Sequence, residues 1–236
     1  MNKTIKIIKS IGAAVMSLVL ISMCVLTAFA ADSYVTLYGF VFEDNSSGEA
    51  VICDYDDRES YVVIPESLLD KPVTKIADYA FYSDTVITNI NFEKAVSLHQ
   101  IGDNAFSKCS GLSSVTIPDN VALGFGAFQR CEGLKSAFMG NTITVIPEQC
   151  FYFCPSLEKV YLPDTVTVIE PRAFDGCDNL VIYTPKNSYT YHYAIENDIP
   201  VIPTDIEWLL GDSNGDGYVN INDVTIIQRY LAELET

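Results

Sequence analysis

Five phenylalanines in the middle of the chain, Phe81, Phe106, Phe128, Phe151 and Phe174, are spaced 25, 22, 23 and 23 residues apart. Three residues after each of the last four stands a cysteine (Cys109, Cys131, Cys154, Cys177), and three further on a leucine (Leu112, Leu134, Leu157, Leu180). The first copy keeps the spacing with Asp84 and Ile87 in those slots. Five residues ahead of each phenylalanine is an aliphatic: Ile76, Ile101, Leu123, Ile146, Ile169. Four residue types held in phase over five copies are not an accident of composition. One such unit has too little core to fold alone, so the phenylalanine of one copy must pack on that of the next, and stability resides in the interfaces between neighbours.

The unit reads I-x-x-x-A-F-x-x-C-x-x-L-x-x-V-x-I/L-P, and its period lies in the 20–29-residue range of leucine-rich repeats. The segment around Leu112, Val115 and Ile117 alternates and is β-rich, which predicts one short strand per turn. The A-F-x-x-C segment is too short for a full helix and lies across the turn. At about 4.8 Å per strand, five copies give a core roughly 24 Å long. Ile101-Gly102 through Pro118 resembles, at nearly every marked position, the unit of the BspA-like leucine-rich repeats of secreted bacterial proteins. The resemblance covers about residues 34–202. It implies a β-rich solenoid, and binding and adhesion rather than a reaction.

The chain opens with Lys3, Lys6 and Lys9, an apolar run from Ile11 to Phe29, and Ala28-Phe29-Ala30 before Ala31. This pattern predicts a secretory signal peptide cut after Ala30, and a mature protein free of the membrane. Cleavage removes three lysines and no acid, so the formal charge of −17 becomes −20. Such an acidic surface argues against nucleic acid and anionic membrane as partners. Cys24 leaves with the leader. The four in-register cysteines read as small buried residues with free thiols; Cys53 and Cys150 fall outside that register and have no reading of their own.

Before the repeats, residues 31–72 read as an N-terminal β cap with a turn at Asp44-Asn45-Ser46-Ser47-Gly48, since the first turn of a solenoid must be closed off from water. Asp54, Asp56 and Asp57 read as a solvated acidic turn. Residues 73–202 form the solenoid and its C-terminal cap: Tyr191, Ala194 and Ile195 fall at helical spacing, and Ile199-Pro200-Val201 reads as a last strand. His99 and His192 lack an acid constellation around them and read as surface or packing residues.

Residues 203–210 are a linker. Beyond it, counting from Asp212, the spacing D-x-N-x-D-G with an acid at position 12 is that of a calcium loop. Its ligands are Asp212, Asn214, Asp216, the Tyr218 carbonyl and Asp223; Asn220 acts through water and Gly217 permits the sharp turn. Hard oxygen donors at these positions suit Ca²⁺ rather than a transition metal. A short helix follows, with Val224, Ile227, Leu231 and Leu234 on one face. Residues 211–236 therefore resemble one type I dockerin repeat, a small α calcium-loop–helix unit. That resemblance implies attachment to a cohesin domain of a scaffold protein, with Ile221, Asn222, Gln228 and Arg229 on the cohesin-facing surface. Dockerins carry two such repeats and this chain one, so either the sequence is a truncated form or a half module works alone.

The leading expectation is a secreted, non-catalytic protein-binding or adhesion module whose calcium-dependent tail joins a cellulosome-type assembly. The alternatives are an accessory subunit or truncated form of a secreted polysaccharide hydrolase, and a structural spacer. No nucleophile–base pair or paired-carboxylate motif is visible. The solenoid's own ligand, protein or glycan, is not readable from the sequence.

Overall fold

The computed structural model describes residues 35–205; the leader at 1–30 and the calcium-loop tail at 211–236 lie outside the described residues. Each turn contributes to two parallel ladders rather than one. The expected strand recurs as β4 (Tyr61–Val63), β7 (Asn89–Asn91), β9 (Ser114–Thr116), β11 (Ser136–Phe138), β13 (Lys159–Tyr161), β15 (Val181–Thr184) and β16 (Val201–Pro203). These seven lie side by side in that order in one sheet. Val62 pairs with Ile90, Val115 with Ala137, Ala137 with Val160, and Val160 with Ile182, all buried.

The second ladder corrects the expectation of one strand per turn. It runs from β3 (Ala50–Tyr55) through β6 (Lys71–Ile76) and β8 (Gln100–Ile101) to β10 (Ala122–Leu123), and β12 (Val145–Ile146) pairs with β14 (Val168–Ile169). These strands are the opening aliphatics of the copies. Most are two residues long, too short for a period of two to show in the sequence.

Between the two ladders the A-F-x-x-C segment makes a third set of bonds from turn to turn. The amides of Tyr79, Phe81 and Ser83 donate to the carbonyls of Asp103, Ala105 and Ser107 at 2.8–2.9 Å, and the amides of Asn104, Phe106 and Lys108 to those of Phe125, Ala127 and Gln129 at 2.8 Å. The intervening amides bond back within their own turn, as Ala80 to Ala77 and Tyr82 to Tyr79 do. Reaching both sets requires two left-handed residues per copy: Tyr79 and Ser83, Asn104 and Lys108, Gly126 and Arg130, Gln149 and Phe153, Arg172 and Gly176. Only two of the ten are glycine. Left-handed backbone costs an L-residue roughly 1–2 kcal/mol, a cost that the hydrogen bonds to the neighbouring turn offset.

The core between the ladders is a column of rings. Phe81, Phe106, Phe128, Phe151 and Phe174 stack with centroids 4.8, 5.3, 5.7 and 5.7 Å apart and planes within 19° of parallel. Tyr55 and Phe40 extend it at the N-terminal end at 5.5 and 5.1 Å. The thiols run beside the column. Cys109, Cys131, Cys154 and Cys177 each donate S–H to the carbonyl of the preceding copy's phenylalanine, at 3.1–3.2 Å. The first copy carries Asp84 in that slot instead, and its carboxylate accepts the amides of Val86 and Ile87. Cys150 has a place after all: it occupies the alanine slot filled elsewhere by Ala80, Ala105, Ala127 and Ala173, and is fully buried. All six cysteines from Cys53 to Cys177 are free.

Both ends are closed. At the N-terminal end β1 (Val35–Leu37), β2 (Phe40–Asp44) and β3 lie side by side, β2 and β3 antiparallel, and β5 (Ser67–Leu68) pairs back on β6. At the C-terminal end α1 (Tyr189–Glu196) packs against β14, β15 and β16. Ser188 caps this helix, its Oγ accepting the Tyr191 amide at 3.0 Å. The helix buries Thr190 and Ala194, while Ile195 is 53% exposed, so its inward face is rotated from the one that Tyr191, Ala194 and Ile195 would make. The helix crosses the end of the solenoid, and the small side chains at 190 and 194 allow the closer approach.

Two predictions follow from the column. Phe128→Ala or Phe151→Ala opens a cavity between two turns and should lower stability by about 3–5 kcal/mol in urea unfolding, whereas Glu158→Ala, at an exposed position, should change it by less than about 0.5 kcal/mol; equal losses would refute the ring column as the core. Burial raises the thiol pKa of Cys109 to about 12 and pushes those of Cys131 and Cys150 well up, and the thiolate is the reacting form. Iodoacetamide at pH 8 should therefore label these three only in denaturant. Native peptide mapping that finds disulfide-linked peptides from consecutive copies would overturn this.

Candidate functional site

Side chains alternate across a strand, so with Val62, Ile90, Val115, Ala137, Val160 and Ile182 buried, the seven-stranded ladder turns two rows outward. One row runs Tyr61, Asn89, Ser114, Ser136, Lys159, Val181. The other includes Thr116, Phe138, Tyr161, Tyr183 and Ile202, each in register with the next. Its aromatic members stack on one another: Phe138 and Tyr161 are 4.6 Å apart at 10°, Tyr161 and Tyr183 4.5 Å apart at 18°. Rings stacked at strand spacing hide their faces in each other. The row therefore presents ring edges and two phenol hydroxyls to solvent. The end ring is different: one face of Phe138 lies against Tyr161, and the other looks toward the smaller Thr116, leaving Phe138 38% exposed.

Two strands from that end ring, next to β7, the sheet is walled. Ile101 follows Phe92 by nine positions, whereas Leu123 follows Ile117 by six, and the extra length folds into a compact bend. Ala95 donates to the Phe92 carbonyl, Val96 to Lys94 and Leu98 to Ala95, at 2.9–3.0 Å. Ala95 and Leu98 are buried anchors, Phe92 packs edge-on against Phe106 at 6.3 Å, and Val96 stands 75% exposed at the lip. Bend and sheet enclose a groove of about 370 Å³ whose lining includes Asn89, Asn91, Ser114, Thr116, Glu93 and Asp119. Asn91 holds the wall: its amide donates to the Tyr61 hydroxyl at 3.0 Å and its carbonyl oxygen accepts the Glu93 amide at 2.7 Å. One oxygen of Asp119 accepts the Asn141 amide at 2.5 Å. The carboxylates of Glu93 and Asp119 are exposed.

The residues singled out for calcium, Asp212, Asn214, Asp216, Tyr218 and Asp223, and for the cohesin surface, Ile221, Asn222, Gln228 and Arg229, lie outside the described residues. Asp54, Asp56 and Asp57 are exposed, as are His99 and His192. Among the described residues no three or more His, Cys, Asp or Glu side chains are gathered for a metal ion, and no helix is long and apolar enough to cross a membrane. Sequence reasoning missed the outward aromatic row. The signal was present: the residue between the two buried positions at each strand's end reads Asn91, Thr116, Phe138, Tyr161 and Tyr183, turning aromatic in consecutive copies.

Comparison with known proteins places this geometry. The family model for the BspA type leucine rich repeat region matches residues 60–187 in six copies. The leucine-rich-repeat protein of T. pallidum, TpLRR, is similar in structure with a TM-score of 0.59 and 26% identity, over 64% of this chain and 71% of that one. A leucine-rich repeat protein from Eubacterium ventriosum matches with a TM-score of 0.56 and 23% identity, over 64% of this chain and 39% of its own. The pneumococcal vaccine antigen PcpA matches with a TM-score of 0.51 and 16% identity, over 66% of this chain and 51% of its own. The last two likenesses are of fold. No curated protein matches. With the family model spanning more than half of the sequence, and with residues 60–187 including every phenylalanine from Phe81 to Phe174 of the ring column, the chain belongs to the BspA type leucine-rich-repeat family.

Proposed function

We propose that this protein is a secreted, non-catalytic binding module whose seven-stranded ladder is its recognition face and whose residues 211–236 form a calcium-dependent attachment tail. The observation that carries the first part is the outward row Phe138, Tyr161 and Tyr183. Three aromatics stand in register on a surface that the fold does not require to be apolar, since the core is complete on the other side of the sheet. Tyrosines supply large, rigid contact area at low entropic cost, which is why they dominate the binding energy of protein interfaces. Leucine-rich-repeat solenoids generally bind proteins, and adhesion at the cell surface is the role that fits a leader-bearing chain with such a face. For the tail, the calcium spacing from Asp212 to Asp223 supports ion binding, and the resemblance to a dockerin repeat supports a cohesin domain as its partner.

The face is tested by screening the full-length protein against a panel of purified extracellular proteins and glycans, then repeating each positive with Tyr161→Ser/Tyr183→Ser. Loss of affinity by at least about tenfold is expected, with unchanged thermal unfolding; binders indifferent to the pair would remove the face from the proposal. The tail is tested by amide exchange with calcium and with chelator. Three carboxylates, Asp212, Asp216 and Asp223, repel one another without a cation, and a helix under about 12–15 residues is marginal alone in water, so ion binding and tail folding should be linked. Protection should rise in 211–236 on adding calcium, stay unchanged from 76 to 185, and not respond in Asp212→Ala/Asp216→Ala. A tail that exchanges equally fast in both conditions refutes the calcium switch.

A further inference from the structure

We propose that the groove end of the recognition face is a seat for a single cationic side chain, arginine or lysine, carried by a polypeptide partner. The seat rests on the reading of the ladder as the binding surface and adds the chemistry of what binds there. Its components stand on three consecutive turns, Glu93 after β7, Asp119 after β9 and Phe138 on β11. The carboxylates of Glu93 and Asp119 are exposed in the groove lining. The face of Phe138 that Tyr161 does not cover looks toward Thr116, which itself lines the groove.

A cation is the chemistry that both components recognise. Carboxylates attract it directly, and an open ring face attracts it through the quadrupole. The molecule already uses this pairing elsewhere: on the turn edge, Lys108 Nζ sits 4.8 Å over the Tyr82 ring and the Arg130 guanidinium 5.6 Å over that of Phe153. No cation of the described residues is placed in this way over Phe138. The formal charge of −17 steers cationic partners toward the protein as a whole. Lys159, the basic member of the outward rows, stands on β13 opposite Ser136, away from the β7–β9 end, while Lys94 is exposed beside Glu93 on the bend but does not line the groove.

The rest of the row favours a polypeptide over a glycan. A sugar chain stacks its pyranose rings on successive aromatic faces, and this row offers the face of Phe138 at one end, a Tyr183 ring turned toward Ile202 at the other, and edges between. Ring edges are electropositive and suit carbonyl oxygens, and the hydroxyls of Tyr161 and Tyr183 both donate and accept. Backbone amides of an extended peptide satisfy that row, and the groove then takes one side chain.

The test is residue-resolved NMR of the labelled full-length protein with three probes: the capped tetrapeptide Ac-Gly-Arg-Gly-Arg-NH2, its Ac-Gly-Glu-Gly-Glu-NH2 counterpart, and cellohexaose. The arginine peptide should shift Thr116, Phe138 and the 93–98 bend, with the glutamate peptide and the oligosaccharide leaving them unmoved. Glu93→Gln/Asp119→Asn, which keeps an oxygen acceptor for the Asn141 amide, should weaken arginine-peptide binding by at least about fivefold, and Phe138→Leu should weaken it without moving the folded-state spectrum elsewhere. Shifts that persist undiminished in the double carboxamide variant, or cellohexaose acting on the same residues, would overturn the cation seat while leaving the face as a binding surface. A probe set that shifts no residue of either outward row, together with a full screen indifferent to Tyr161→Ser/Tyr183→Ser, would overturn both.

Discussion

One distance governs this protein: the rise from turn to turn. Parallel strands hydrogen-bond at about 4.8 Å, so every side chain that repeats in register meets its counterpart at nearly that spacing. A phenyl ring held roughly perpendicular to the axis is thick enough to fill that rise with slight offset, the arrangement in which aromatic pairs are favoured over a face-to-face sandwich. The measured column, 4.8–5.7 Å between centroids with planes within 19° of parallel, is the side-chain expression of the same translation that the backbone makes. A larger residue in the slot would force turns apart and a smaller one would leave a gap in a close-packed interior.

The other repeated positions serve that column. The cysteine slot lies where a side chain must be small, apolar and yet give something to the carbonyl of the neighbouring phenylalanine, and a thiol meets all three needs. An alanine there would fill less space and donate nothing. A serine would carry a more costly group into the interior. The left-handed residues serve it in another way. By sending successive amides alternately to the neighbouring turn and back into their own, they leave the corner of each turn with partners in a region that neither ladder reaches. The backbone hydrogen bonds of a buried corner must be found somewhere, and here they are found in the adjacent copy.

The sequence was most informative where chemistry repeats by identity. Phe106, Cys109 and Leu112 recur as the same residue types, so their phase, and with it the stack, could be read directly. It was less informative where the repeat is one of conformation. Ser83, Lys108, Arg130, Phe153 and Gly176 share a left-handed backbone and almost nothing else, and the two-residue strands at Gln100–Ile101 or Val145–Ile146 are too brief for alternation to register. Cys150 was unassigned because it was compared with the other cysteines. Compared with the alanine before each phenylalanine, it is one of a column of small buried residues. The helix near the C-terminal end lies where the spacing placed it, with Ala194 buried but Thr190 rather than Ile195 beside it, because helical spacing alone does not say which side meets a solenoid end. The outward aromatic row went unread because attention to buried positions treats the residue between two aliphatics as filler.

That filler position is where a solenoid is free to acquire function. In a stack of this kind each turn touches only its neighbours, and the residues that set the rise, the phenylalanine, the cysteine, the leucine and the strand's central aliphatic, all point inward. Side chains at Asn91, Thr116, Phe138, Tyr161 and Tyr183 take no part in the column, so they tolerate change one turn at a time at little cost to the fold. Their register nevertheless comes from the same translation, so whatever stands there is presented at strand spacing in a straight line. Three aromatics in consecutive copies become a stack, whose middle member shows edges and whose end member Phe138 shows a face. A longer bend two turns away, anchored by buried Ala95 and Leu98, adds a groove lined by two carboxylates. The rigidity that the core imposes for stability is thus also what pre-positions the surface, and pre-positioned groups lose little entropy on binding.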